Sequence, residues 1–239
     1  MKFALHSAYK NDHEGSTIAW YCSMNRIPYR IYERARDVPP DCVPVGSVKW
    51  VEQVLGRIET PDYYPDFLAP WLHRKIWRAD KWPLGHRVFI KPSDRHKRFT
   101  GFVTNGTWKG KKKGPYWCSE VVRFVSEWRW YISRGQIIDA RWGSGEQELP
   151  VPDLDIEWPS DYSAAVDFGL LDNGKIALIE SNSPFACGWY GPINQGTTYI
   201  RWLTEGWEDL KRQPVQFPTK STSTVDSSLG AVEVAPESP

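Results

Sequence analysis

Val166-Asp167-Phe168-Gly169-Leu170-Leu171-Asp172-Asn173-Gly174-Lys175-Ile176-Ala177-Leu178-Ile179-Glu180-Ser181-Asn182 decides the reading of this chain. Two apolar runs flank Asn173-Gly174, a dipeptide suited to a tight hairpin because both residues tolerate positive φ. A two-residue loop there sets Asp167 directly opposite Glu180, with Asn182 further along the same face. The other face is then Val166, Phe168, Leu170, Ala177 and Ile179, while Leu171, Ile176 and Leu178 continue the carboxylate face. Like charges so placed repel, and one is protonated unless a cation sits between them. Two carboxylates and an amide are all oxygen donors, which suits magnesium, or manganese, rather than zinc. The competing reading is a sheet end whose carboxylates reach water.

Outward from this hairpin, the pattern upstream is also strand-rich: Val121 to Val125, Trp128 to Ile132, Ile137 to Trp142 and Ala164 to Leu171. Arg87 to Lys91 reads as a short strand stopped by Pro92, and Thr198 to Leu210 as a last helix. At the N-terminus, Lys2 to His6, Thr17 to Met24 and Tyr29 to Tyr32 suggest a β-α-β unit. Gly46-Ser47 then caps a helix whose Val48, Val51, Val54 and Leu55 recur at helical spacing. A proline-punctuated connector runs from Thr60 to Pro70. After Gln213 the chain turns rich in proline, serine and threonine, as a disordered tail does. The expected division is residues 1–70, 71–212 and 213–239, in an α+β chain.

Composition narrows the class. The 239 residues are 41% hydrophobic and 25% charged, which is globular rather than disordered. No apolar run is long enough to span a membrane. Cys22, Cys42, Cys118 and Cys187 share no metal or disulfide spacing, which points to reduced thiols and a cytoplasmic setting. The net charge of +1 hides an uneven distribution: no acid lies between Asp94 and Glu120, where seven Lys and Arg residues fall. That stretch is either a solvated basic loop or a surface for polyanionic phosphate. Fourteen tryptophans serve either as stacking surfaces or, more simply, as core anchors. Neither a Walker phosphate loop nor a dinucleotide fingerprint is present.

An Asp on one strand with Glu-x-Asn on its partner resembles the ATP-grasp ligases, and Asp167 with Glu180-Ser181-Asn182 matches that pattern. Val88-Phe89-Ile90-Lys91-Pro92 looks like the strand whose lysine meets the α- and β-phosphates in that superfamily. Lys97-Arg98-Phe99-Thr100-Gly101 looks like its phosphate loop, although this loop carries Arg95, Lys97 and Arg98 where glycines are usual. Ser119 to Arg129 looks like the interdomain hinge. Gly46-Ser47-Val48, Arg74-Lys75 and Gly188-Trp189-Tyr190-Gly191 further resemble a short ATP-grasp clade of phage and bacterial genomes.

The resemblance, over about residues 70 to 212, implies an ATP-grasp fold and an ATP- and magnesium-dependent carboxylate–amine ligase. It assigns the metal to Asp167, Glu180 and Asn182. It assigns the nucleotide to Lys75, Lys91, Lys97, Glu120, the Val121-Val122 backbone and Glu127. Arg129 and Arg141, with Lys97, would stabilise an acyl phosphate. Two other classes stay open: a tryptophan-rich nucleic-acid-binding module using Lys109 to Lys113 with Trp108 and Trp117, and a non-catalytic ATP-binding regulator. The segment Thr107 to Tyr116 is expected to act as a lid. The carboxylate and amine are not legible.

Overall fold

The structure is a computed structural model that describes residues 1–107 and 113–212. The expected tail and half of the expected lid, residues 108–112, lie outside the described residues.

The chain opens with strand β1 (Lys2–His6), helix α1 (His13–Asn25) and strand β2 (Tyr29–Tyr32), followed by β3 (Cys42–Val45) and helix α2 (Val48–Leu55). The three strands form a parallel sheet in the order β2-β1-β3. Helix α2 starts where the sequence requires: the Ser47 hydroxyl accepts the Trp50 N–H at 3.3 Å, satisfying a first-turn donor that the helix cannot.

Two four-stranded antiparallel sheets follow. One joins β4 (Ile76–Ala79), β5 (Val88–Pro92), β6 (Phe102–Thr104) and β7 (Tyr116–Ser119) in the order β4-β7-β5-β6. The other joins β8 (Phe124–Ser133), β9 (Gln136–Gly145), β10 (Ala164–Leu171) and β11 (Ile176–Asn182) in the order β11-β10-β8-β9. Helix α3 (Thr197–Arg212) closes the described chain. Pro92 does not stop β5 but ends it in register with Tyr116, at a position where the missing N–H is tolerated. The two strands expected at Val121–Val125 and Trp128–Ile132 are one, β8. Val121 and Val122 lie before it, in the link from β7, because the apolar run there serves a connection rather than a ladder.

The β8–β11 sheet is the structural centre. One face buries Trp128, Trp130, Val166, Phe168 and Leu178 against Leu68 of the connector. From the other face, Tyr131 and Ala165 join Trp189, Tyr199 and Trp202, in one core with Phe3, Leu5 and Val51. The tryptophans named here are core anchors.

The β10–β11 hairpin differs from expectation in two ways that cancel. Its loop has three residues, Asp172-Asn173-Gly174: the Leu171 N–H donates to the Lys175 carbonyl at 2.8 Å, and Gly174 takes φ +83°. Phe168 therefore pairs with Leu178, and Leu170 with Ile176, which moves Ile176 and Leu178 to the core face. A bulge at Ile179 adds one residue back, and Asp167 meets Glu180 after all. Arg74 fastens the bulge, donating from Nη1 to the Leu178 carbonyl at 2.6 Å and from Nη2 to the Ile179 carbonyl at 3.2 Å.

Candidate active site

Asp167 on β10, Glu180 and Asn182 on β11 and Arg129 on β8 share one sheet face, because Asp167 is in register with both Glu180 and Arg129. Lys91 reaches this face from β5 of the other sheet, and Lys97 from the loop after it. The carboxylates are not left to repel one another. Glu180 accepts from Lys91 Nζ at 2.6 Å, from Lys97 Nζ at 2.7 Å and from the Asn182 amide at 2.9 Å. Asp167 accepts from Arg129 Nε at 2.7 Å and Nη2 at 2.8 Å, a fork-to-carboxylate pair. The cation that the opposed carboxylates call for is thus supplied by the chain's own side chains, which tertiary packing delivers.

These pairs set the titration behaviour. Burial works against the Glu180 anion, but Lys91 and Lys97 prevail and hold its carboxyl well below the usual range. At Asp167 burial is the larger effect and moves the carboxyl upward, against the pull of Arg129. Burial likewise moves Glu127 upward, while the Ser144 hydroxyl donates to it at 3.1 Å.

Arg141 stands opposite Arg129 in the β8–β9 register. The two guanidiniums avoid each other by taking separate anions: Arg141 Nη2 donates to Asp139 at 3.0 Å, and Arg129 keeps Asp167. Each also meets an aromatic ring, Arg129 over Tyr190 at 4.3 Å and Arg141 over Trp189 at 5.4 Å. Lys75 and Glu120 meet at the joint between the sheets. The Lys75 N–H donates to Glu120 Oε2 at 2.9 Å, and the Glu120 N–H to the Lys75 carbonyl at 3.0 Å. The Lys75 ammonium itself lies over Trp77, and Val121 and Val122 follow directly in the link.

Sequence reading missed Tyr63, Tyr64, Asp139 and Tyr190. Both rings of Tyr63 and Tyr64 face the Lys91 ammonium. The available signal was the Tyr63-Tyr64 pair bracketed by Pro61 and Pro65 in a segment taken as a mere connector.

The residue types fit a hard divalent cation: Asp167, Glu180 and Asn182 share a face and can offer oxygen donors, with no thiolate or imidazole among them, although here the Asn182 side chain turns its nitrogen to Glu180. Among the described residues no three His, Cys, Asp or Glu side chains gather to hold a metal. A cation here therefore leans on these two carboxylates, the amide and oxygens of a bound ligand. Beside the cluster a cavity of about 980 Å³ opens, lined by Glu14, Ser47, Lys49, Glu52, Arg95 and Lys97 among others. Among the described residues no helix is long and apolar enough to cross a membrane. Trp117 stands edge-on to Tyr64 and beneath Arg78, whereas Trp108 to Lys112 lie outside the described residues.

Sequence comparison matches residues 71–198 to the ATP-grasp domain, R2K clade family 2. No curated protein matches the chain. Among solved structures it is similar to an N5-carboxyaminoimidazole synthase from Aspergillus clavatus in complex with ADP, at 10% identity and TM-score 0.49, covering 90% of this chain and 78% of that one. It is also similar to a RiPP-associated ATP-grasp ligase from Chryseobacterium gregarium in complex with ADP and a leader and core peptide. There the identity is 9% and the TM-score 0.44, covering 89% of this chain and 97% of that one. A third is a macrocyclase from Microcystis aeruginosa bound with its precursor peptide, at 9% identity and TM-score 0.44, covering 84% and 99%.

Proposed function

Given that the chain belongs to the ATP-grasp domain family and is an ATP-grasp ligase, we propose that it joins a carboxylate to an amine through an acyl phosphate, releasing ADP and orthophosphate. The observation that carries this reading is the shared face of Asp167, Glu180 and Asn182, with Lys91 and Lys97 brought onto Glu180 from the other sheet.

Asp167, Glu180 and Asn182 would hold magnesium, which neutralises the β- and γ-phosphates when bound. Lys91 and Lys97 exchange Glu180 for phosphate oxygens when the triphosphate arrives, since both ammoniums already converge there. Glu120, the Val121-Val122 backbone and Glu127 would meet adenine and ribose, with Lys75 beside Glu120. The carboxylate substrate enters from the cavity beside Lys97. Its oxygen attacks the γ-phosphorus, the bond to the β-phosphate oxygen breaks, and ADP leaves. Arg129 and Arg141 face the resulting acyl phosphate and balance its charge. The amine then adds to the acyl carbon, the bond to the phosphate oxygen breaks, and orthophosphate departs. The proton released by nitrogen passes to solvent.

The test is an ADP-release screen against amino acids, peptides and protein extracts, with hydroxylamine present to trap the acyl phosphate. ADP with a hydroxamate supports the reading. AMP as the nucleotide product, with no ADP above background, overturns it.

A further inference from the structure

We propose that Tyr63, seconded by Tyr64, is a positioning residue of the triphosphate site, aiming Lys91 at the phosphates and tying the Lys97 loop to the same point. The inference rests on the reading of Lys91 as a phosphate ligand. Lys91 is 8% exposed, and among the described residues its ammonium has a single carboxylate partner, Glu180. Two tyrosines also stand against it: the Tyr63 ring centre lies 4.5 Å away and the Tyr64 ring centre 4.6 Å, and the Tyr64 hydroxyl accepts a hydrogen bond from the ammonium as well. A π face attracts an ammonium without being a counter-anion. A second carboxylate in that place would compete with phosphate for the lysine, whereas two rings hold it and leave its charge available.

Tyr63 does more than supply a ring. Its hydroxyl donates to the Asp94 carbonyl at 3.0 Å, at the start of the loop that carries Lys97. Its ring centre is 5.7 Å from Lys97 Nζ. Its carbonyl accepts the Ser181 N–H at 2.9 Å, between the two β11 ligand residues Glu180 and Asn182. One side chain, 1% exposed, thus contacts the β5 lysine and the loop lysine, while its own backbone is fixed to the strand of the carboxylate. Tyr64 is braced from behind by the Trp117 ring, 5.0 Å away and edge-on.

The experiment compares full-length wild type with Tyr63→Phe, Tyr63→Leu and Tyr64→Leu. Calorimetry reads the affinity for ATP–magnesium and for adenosine. In protein labelled with ¹³Cε-lysine, the Lys91 resonance, assigned by Lys91→Arg, reports ring-current shielding. Tyr63→Leu should weaken ATP–magnesium by about tenfold, move the Lys91 resonance downfield and leave adenosine affinity unchanged, a split that general loosening would not produce. Tyr63→Phe should keep the Lys91 shielding and weaken ATP–magnesium by only about threefold, the loss of one hydrogen bond to the loop. A folded Tyr63→Leu protein with wild-type ATP–magnesium affinity overturns the proposal. If Tyr63→Leu does not fold, the half-buried Tyr64→Leu decides by the same two readouts. If wild type itself binds no ATP–magnesium, the functional reading fails, and unchanged Lys91 shielding in the variants separately refutes the positioning.

Discussion

The Arg129 guanidinium grips Asp167 through two parallel hydrogen bonds of 2.7 and 2.8 Å, between register partners on neighbouring strands. Both side chains are nearly buried, so neither charge has water as an alternative partner. Breaking such a pair from one side strands the other charge.

Asp167→Asn is therefore expected to destabilise the fold by about 3 kcal/mol, measured by urea unfolding. Considered as one of two opposed carboxylates, Asp167 would be expected to repel Glu180, and its removal to help. The packed structure reverses that sign because Arg129 outweighs Glu180. The Asp167→Asn, Arg129→Met double variant should regain much of the loss while remaining inactive. A single variant as stable as wild type would refute this account.

Glu180 gives a pH dependence of defined sign. Its folded carboxyl is held below the ordinary value by Lys91 and Lys97, whereas in the unfolded chain it titrates near ~4.3. The stabilisation is thus complete above that unfolded value and is lost as pH falls toward the folded one. Unfolding free energies followed downward from pH 6 should decline more steeply in wild type than in Glu180→Gln. Parallel slopes would show that the two lysines do not depress this carboxyl.

Gly206, inside α3, sets two effects against each other. Alanine would gain about 1 kcal/mol in helix propensity. Its Cβ, however, would come within 2.5 Å of the Pro184 carbonyl oxygen, a backbone atom that cannot swing aside. Overpacking of this kind costs about 1–3 kcal/mol, so Gly206→Ala should lower the melting temperature despite the better helix former. A higher melting temperature would mean that α3 moves freely against the turn after β11.

Arg141 should separate chemistry from nucleotide binding. Its partners are Asp139, Gln195 and the Trp189 ring, and it stands on β9, at the opposite edge of the sheet from β11, where Lys91 meets Glu180. Arg141→Ala should reduce ADP formation by about tenfold or more while changing ATP–magnesium affinity by less than about twofold. An equal loss in both would place it on the nucleotide instead.

Local patterns made much of this legible. The β10 and β11 limits could be read from Asn173-Gly174 and the apolar runs beside it, and the α2 cap from Ser47. Register was harder. The loop is one residue longer than its dipeptide implies, and only the bulge at Ile179, pinned by Arg74 from over a hundred residues away, restores the pairing at Asp167. Strand β3 went unseen because Pro44 sits in it, tolerated on a sheet edge. The link at Val121 and Val122 looked like a strand because its apolar content is that of one.

The sequence alone determined the candidate groups: an Asp and a Glu-x-Asn on the two strands of a hairpin, a lysine on an earlier strand and a basic loop after it. The place of Asp167 and Glu180 on the two strands follows from the turn and the apolar runs, but the face that Glu180 takes depends on the bulge at Ile179, because a strand's period of two holds only where the ladder is unbroken. Tertiary structure alone decided how those charges are held. Which cation meets which carboxylate depends on how two sheets and a connector approach one another, through contacts between residues dozens of positions apart. Hence Arg129 belongs to Asp167, both lysines converge on Glu180, and a tyrosine pair in an unremarked connector encloses Lys91.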